Sequence, residues 1–71
     1  MTPIDVVVTR YGGMVPMNQI SYIDVEPYRD ENDLWWFDVE TSGGKPREIG
    51  GFKTEKIAEA WLLTHFAKVW V

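Results

Sequence analysis

Apolar and polar residues alternate through most of the first 52 positions, which is the pattern of half-buried β-strands. The pattern predicts strands at 4–11, 20–28, 34–41 and 47–52. Turn-forming residues separate them at 12–13, 29–33 and 42–46. Segment 14–19 is predicted to be a loop, because Pro16 has no N–H to donate to a central strand. Gly50 and Gly51 indicate a bulge or bend in the last strand.

After Phe52 the apolar spacing changes to that of an amphipathic helix, predicted from Lys53 to Phe66. Its apolar stripe consists of Ile57, Ala58, Trp61, Leu62, His65, Phe66 and Val69, and the opposite side of Lys56, Glu59 and Leu63. Thr54 is the predicted N-cap, and Glu55 follows it at the positive end of the helix dipole. Residues 67–71 fit either the end of the helix or a short strand.

These elements predict a single small α+β domain over 1–71. Its antiparallel sheet has three or four strands, with one C-terminal helix packed on one face. The alternation in 34–41 assigns Trp35, Phe37 and Val39 to the face that meets the helix. By the same reasoning the other strands place inside Ile4, Val6 and Val8, and Ser21, Ile23 and Val25. The outer face then presents Tyr11, Tyr22 and Trp36 among Asp5, Asp24, Glu26, Asp38 and Glu40.

Charge is distributed unevenly along the chain, whose net charge is −4. Residues 1–21 are neutral, with one Asp and one Arg. Residues 22–40 carry seven carboxylates and one Arg, a net of −6. Residues 41–71 carry five Lys or Arg and three Glu, a net of +2. Such polarisation bears on the choice of partner rather than on the fold.

Little in the sequence points to catalysis or to a cofactor. There is no cysteine, so neither disulfides nor thiolate metal sites are expected. His65 is the single histidine, and its place on the apolar stripe favours packing over catalysis or metal binding. The acidic stretch 30–40 lacks the ligand order of an EF-hand, and the paired glycines do not form a phosphate loop. We therefore expect no enzyme activity, no cofactor and no metal.

The segment GGFKTEKIAEAW, residues 50–61, resembles the junction of turn and helix in the arm-type DNA-binding domain of phage integrases. That family shares its fold with plant ethylene-response factors, and the similarity extends over residues 34–62. It implies a three-stranded sheet followed by a helix. The family reads DNA with basic side chains on the outer sheet face, where this chain has Asp38 and Glu40. The resemblance thus implies, as an alternative function, nucleic-acid binding through Lys45, Arg47 and Lys53.

Two interpretations of the outer face remain open: an ordinary solvated face, and a binding face in which aromatic side chains lie among carboxylates. On the second, the sequence predicts a protein-binding module, either an adaptor or an inhibitor, whose partner has a basic surface. The predicted contact residues are Tyr11, Tyr22, Asp24, Glu26, Trp36, Asp38 and Glu40. Small acidic modules of this kind resemble accessory proteins that phages and mobile elements use against host factors.

Two further expectations concern assembly and location. Leu63 and Trp70 point away from the helix stripe and the aromatic content is high, so a homodimer is predicted. The chain has neither a secretory segment at its start nor an apolar run of about 18 residues. A soluble protein of the cytoplasm, or of the host-cell interior if phage-encoded, is therefore expected.

Overall fold

The structure, a computed structural model, describes residues 5–66. Six strands and one helix follow one another in the order β1 (Val6–Thr9), β2 (Gly13–Pro16), β3 (Ile20–Ile23), β4 (Tyr28–Arg29), β5 (Trp35–Thr41), β6 (Lys45–Phe52) and α1 (Glu55–His65). A single turn of 3-10 helix, Met17–Gln19, joins β2 to β3. The predicted α+β class, an antiparallel sheet with one C-terminal helix, is confirmed. No helix of the described part is long and apolar enough to cross a membrane.

The sheet runs in the order β2-β1-β6-β5-β3, and β4 also pairs with β5. Its two edges, β2 and β3, are linked by the short 3-10 turn, whose ends are tied to the rest of the sheet. Met17 N donates to Asp5 O at 2.8 Å, and Ser42 N donates to Gln19 O at 2.9 Å. The sheet must curl to bring both edges to one short connection, so it has a concave inner side and a convex outer side.

The inner side holds the core, in which Phe37 of β5 and Ile49 of β6 are fully buried. Ala58 and Leu62 of α1 pack against them. Trp61 adds aromatic contacts, because its ring lies 5.9 Å from that of Phe37. The helix starts as predicted: the Thr54 hydroxyl accepts the Ile57 N–H at 3.1 Å.

A bulge between β5 and β6 confirms the prediction from Gly50 and Gly51. Trp36 faces Gly50 but Trp35 faces Phe52, so one extra residue, Gly51, is accommodated on β6. Both glycines have positive φ, 125° and 74°. A Cβ on Gly50 would meet the Phe52 ring at 2.6 Å, so only glycine fits there.

The predicted loop at 14–19 is wrong, because Gly13–Pro16 form strand β2. Pro16 is accommodated since β2 lies at the edge of the sheet, where no neighbouring strand requires its N–H. The predicted second strand also ends early, at Ile23; the Asp24 N–H still donates to Asp38 O, and strand pairing with β5 resumes at Tyr28 and Arg29. The turn residues around Pro27 thus interrupt a segment that the alternation of polarity predicted to be one continuous strand.

The predicted orientation of β1 is inverted. Val7 and Thr9 are buried, whereas Val6 and Val8 are exposed. The reason is register: Thr9 pairs with Ile49, and Ile49 points into the core. Since neighbours across a sheet share a face, Thr9 and Val7 must point inward too. In β3, a register shift between Ile20 and Tyr22 turns Ile20 toward the core, against the predicted alternation.

The helix stripe is narrower than predicted, because Ile57 and His65 are exposed. His65 lies beside Trp61, with ring centroids 5.2 Å apart, at the edge of the apolar stripe of the helix rather than in the core. Val25, expected inside, is also exposed. Ile4, Val69, Trp70 and the alternatives for 67–71 lie outside the described residues.

Candidate functional site: an acidic groove on the outer sheet face

A shallow groove of about 400 Å³ crosses the outer face of β3, β5 and β6. It is lined by Tyr22, Asp24, Asp38, Val39, Glu40, Pro46, Arg47 and Glu48. We call this the acidic groove. Four of its eight lining residues carry carboxylates, and Tyr22 is 59% exposed. The groove therefore combines concentrated negative charge with an accessible aromatic ring.

Strand register explains why the carboxylates of the acidic groove lie together. Asp38 is directly opposite Glu48 in the β5–β6 ladder. On the other side of Asp38, the Asp24 N–H donates to Asp38 O at 2.8 Å. Asp24, which directly follows β3, thus lies beside Asp38 and Glu48 on β5 and β6, with neighbouring backbones about 4.8 Å apart. Like charges placed opposite one another repel, so the folded sheet carries an unfavourable local field.

Arg10 relieves this repulsion at one end of the groove only. Its Nη1 contacts Glu48 Oε2 at 3.0 Å, its Nη2 contacts Glu31 Oε2 at 2.8 Å, and its Nε lies 3.9 Å from Asp30 Oδ2. The hydrogen bond to Glu48 raises the pKa of Arg10 above its usual value. Within residues 5–66, no salt bridge involves Asp24, Asp38 or Glu40. These three carboxylates are the ones available to a partner.

Next to the groove, Asp30 organises the segment that covers Trp36. Its Oδ1 accepts the N–H of Asn32 at 2.8 Å and of Leu34 at 3.0 Å, and its Oδ2 accepts the Trp36 indole N–H at 2.7 Å. The side chain of Asp30 is only 2% exposed. The pKa of this carboxyl is lowered chiefly by the Leu34 N–H, with further lowering from Trp36, Asn32 and Arg10, while burial opposes the shift.

Four of the seven predicted contact residues lie in the acidic groove: Tyr22, Asp24, Asp38 and Glu40. The exposure expected of Trp36 is wrong. Its side chain lies on the outer face but is only 7% exposed, because β4 places Tyr28 directly opposite and Asp30 binds the indole N–H. The backbone of Gly51 also helps to bury Trp36, since a Cβ at Gly51 would lie 3.3 Å from Cη2 of the indole ring.

Two other predicted residues are exposed but lie outside the acidic groove. Tyr11 is in the turn between β1 and β2, with the Arg10 guanidinium 5.1 Å above its ring. It lines a second hollow of about 350 Å³, shared with Arg10 and Arg47. Glu26 follows the end of β3, and its N–H donates to Asp24 Oδ1 at 3.1 Å. The acidic groove therefore does not include Tyr11 or Glu26.

Sequence reasoning missed Glu48 and Pro46, which the groove includes, and the role of Asp30. Alternation along β6 was a usable signal, since Pro46 and Glu48 are two residues apart and oppose Glu40 and Asp38. Asp30 begins the segment DEND, where an aspartate that accepts from following N–H groups is a common turn device. Its contact with Trp36 depends on tertiary structure and left no pattern in the sequence.

The basic residues of the alternative function are exposed but separated. Lys45 begins β6, and Lys53 follows its end, so roughly 25 Å of extended strand separates them at about 3.3 Å per residue. Lys45 and Arg47 are opposite Thr41 and Val39 in the β5–β6 ladder, and Arg47 also lines the rim of the acidic groove. The three basic residues therefore do not form one continuous patch, and Arg47 lies beside the carboxylates of the acidic groove.

Comparison with known proteins adds no relative: no family model, no curated protein and no solved structure matches the chain. Over residues 5–66 there is also no group of three or more His, Cys, Asp or Glu side chains arranged to hold a metal ion.

The lowered pKa of Asp30 predicts a specific pH dependence. A carboxyl whose pKa is lower in the folded than in the unfolded state stabilises the fold above its unfolded value, here 3.8. That contribution is lost as the pH falls through the lower, folded value. Asp30→Asn is expected to lower the free energy of unfolding at neutral pH, and the difference from the parent should shrink below about pH 4. Urea unfolding between roughly pH 2 and pH 7 measures this.

Glu31→Gln is the matched control, because Glu31 contacts the same Arg10 but its side chain is 73% exposed. Exposed ion pairs contribute little, so this variant should stay close to the parent at every pH. A difference between Asp30→Asn and the parent that did not change with pH would contradict the prediction.

Proposed function

We propose that this chain is a non-enzymatic protein-binding module, an adaptor or an inhibitor, that takes a basic surface of another protein into the acidic groove. The observation that carries the proposal is the alignment of Asp38 on β5 with Glu48 on β6 and with Asp24, which directly follows β3, while Glu40 lies beside them. Within residues 5–66, Glu48 is the one of these four that forms a salt bridge. Lysine or arginine side chains of a partner would reduce the repulsion among the others.

The apolar part of the acidic groove supports a protein partner rather than free ions. Tyr22 is directly opposite Glu40 on β3, and Pro46 is opposite Glu40 on β6. An exposed tyrosine beside charged residues offers contact area with few rotatable bonds, which is a common feature of binding hot spots. The groove is shallow, so it suits a protruding side chain or segment better than an enclosed small molecule.

Competition with nucleic acid is the mechanism we favour. A protein surface that binds phosphates carries Lys and Arg side chains at short intervals. The carboxylates of the acidic groove repeat at about 4.8 Å across the strands and about 6.6 Å along them, and can therefore pair with several such cations at once. An inhibitor of this kind, encoded by a phage or a mobile element and acting inside the host cell, is the context we propose.

The test of the proposed function is charge reversal in the acidic groove. Asp38→Lys and Glu40→Lys are expected to fold as well as the parent or slightly better, because they remove repulsion between exposed carboxylates. Both should weaken binding of a partner identified by affinity capture by at least about tenfold, equal to 1.4 kcal/mol. Binding by the parent should also weaken as salt rises.

Glu59→Lys is the control, since it makes the same charge change on the exposed side of α1. Binding that falls equally in Glu59→Lys would indicate a response to net charge rather than to the groove. Retention of the parent chain on immobilised nucleic acid, abolished in Lys45→Glu with Arg47→Glu, would instead support the alternative, nucleic-acid-binding function.

A further inference from the structure

Both edges of the sheet, and the turn between them, lack charge. Residues 11–23 contain no Asp, Glu, Lys or Arg, although 18 of the 71 residues in the chain are charged. This segment comprises β2, the 3-10 turn and β3. Edge strands usually carry charges that prevent pairing with another chain. The β3 edge is disrupted by the register shift between Ile20 and Tyr22, which leaves β2 as the regular edge.

The alternation of hydrogen-bonded and non-bonded pairs between β1 and β2 shows which backbone N–H and C=O groups of β2 point away from the sheet. Met17 N donates to Asp5 O, so Asp5 and Met17 form a bonded pair of the antiparallel ladder. Bonded and non-bonded pairs alternate, and the register is Val6 with Pro16 and Val8 with Met14. The peptide groups of Met14 and Pro16 therefore point away from β1. Since proline has no N–H, Met14 supplies the outward donor of this strand.

The side chains next to that edge form an exposed apolar stripe on the outer face. Val6 is 50% exposed, Val8 54% and Met14 69%. Met14 is directly opposite Val8 in the β1–β2 ladder, so their side chains are neighbours. Contiguous apolar side chains at a strand edge are typical of surfaces that pair with another chain.

We propose that a second copy of this chain docks on β2, antiparallel, about a twofold axis near Met14. In that arrangement each Met14 N–H donates to the Met14 C=O of the other copy, and Val8 and Met14 of both copies form one apolar row. Charge favours this occupant: two acidic chains repel elsewhere but not along an uncharged edge, whereas a basic partner gains no attraction there. The pairing is isologous, so it closes as a dimer.

The dimer should be weak, because Pro16 shortens the ladder and the stripe is small. We expect a dissociation constant in the range of about 10–100 µM. This surface lies on β1 and β2 and does not include the acidic groove, so the inference does not depend on the proposed function. It also differs from the helix surface around Leu63, which the sequence suggested and which is exposed.

The test is a charge swap at Met14, whose side chain is exposed and whose substitution should leave the fold intact. Sedimentation of the full chain between about 1 µM and 1 mM should show a dimer for the parent. Met14→Glu and Met14→Lys should each raise the dissociation constant at least about tenfold, because like charges would meet across the axis. An equal mixture of the two variants should dimerise again, since opposite charges would then be paired.

Leu63→Glu is the matched control and should dimerise like the parent. Asp38→Lys should also dimerise, which separates failure of this inference from failure of the proposed function. A parent chain that remains monomeric up to 1 mM would overturn the inference. So would unchanged dimerisation of Met14→Glu, or loss of the dimer in Leu63→Glu alone.

Discussion

Trp36→Ala is expected to destabilise the fold by about 3–5 kcal/mol, the usual cost of truncating a buried large aromatic side chain. Trp36 is 7% exposed although it lies on the outer face, because Tyr28 is opposite and the Gly51 backbone lies close to the ring. Truncation leaves a cavity and removes the indole N–H from Asp30, whose carboxylate is buried. Urea unfolding followed by circular dichroism measures the loss.

Two variants separate these contributions. Trp36→Phe keeps most of the apolar volume but removes the N–H, so its loss should be smaller and should decline at low pH, where Asp30 is protonated. Tyr22→Ala changes an exposed aromatic residue on the same face and should stay within about 0.5 kcal/mol of the parent. If Trp36→Ala were as stable as the parent and yet lost the partner, Trp36 would have to be a contact residue after all.

Phe37→Ala is expected to have a comparable or larger effect, again about 3–5 kcal/mol. Phe37 is fully buried, and its ring centroid lies 6.1 Å from that of Phe52 and 5.9 Å from that of Trp61. Removing it leaves a cavity between α1 and the sheet at the centre of the core. At about 0.05–0.15 kcal/mol per residue, a chain of this length has a total stability of roughly 4–11 kcal/mol. The variant should therefore lose a large part of its stability.

Thermal unfolding compares Phe37→Ala with Phe37→Leu, which keeps an apolar side chain at the same position. We expect the leucine variant to melt between the parent and the alanine variant. A Phe37→Ala protein with the melting temperature of the parent would mean that the helix does not pack on this residue, which would contradict the described core.

The acidic groove was partly predictable from sequence. In β5 the inward Phe37 and Val39 are apolar while the outward Asp38 and Glu40 are charged, so alternation assigns both faces correctly. Tyr22 and Asp24 were assigned from the alternation of the second strand. Glu48 lies outside the prediction, because the short segment 47–52 is marked in the sequence mainly by Gly50 and Gly51. The resemblance to integrase domains implies a three-stranded sheet followed by a helix; in the structure a helix does follow the sheet, but the sheet has six strands.

The sequence by itself determined the class of the fold, the positions of β5 and α1 to within two residues, and the N-cap at Thr54. In each case the pattern is local: alternating polarity in β5, helical spacing in α1, and a hydroxyl three residues before a free N–H. These features act within a few residues, so they can be inferred without knowing what lies across the sheet.

Only the tertiary structure decided the orientation of β1 and the burial of Trp36. Val6, Val7 and Val8 are identical in chemistry, so polarity does not say which of them points inward. The pairing of Thr9 with Ile49 makes that choice, and it joins residues 40 positions apart. Tyr28 covers Trp36, and Asp30 accepts its indole N–H; a turn in the chain brings both residues next to Trp36. Which side chains point inward and which are buried depends on such distant neighbours. In a strand of uniform polarity, the register with the paired strands alone decides which residues face the core.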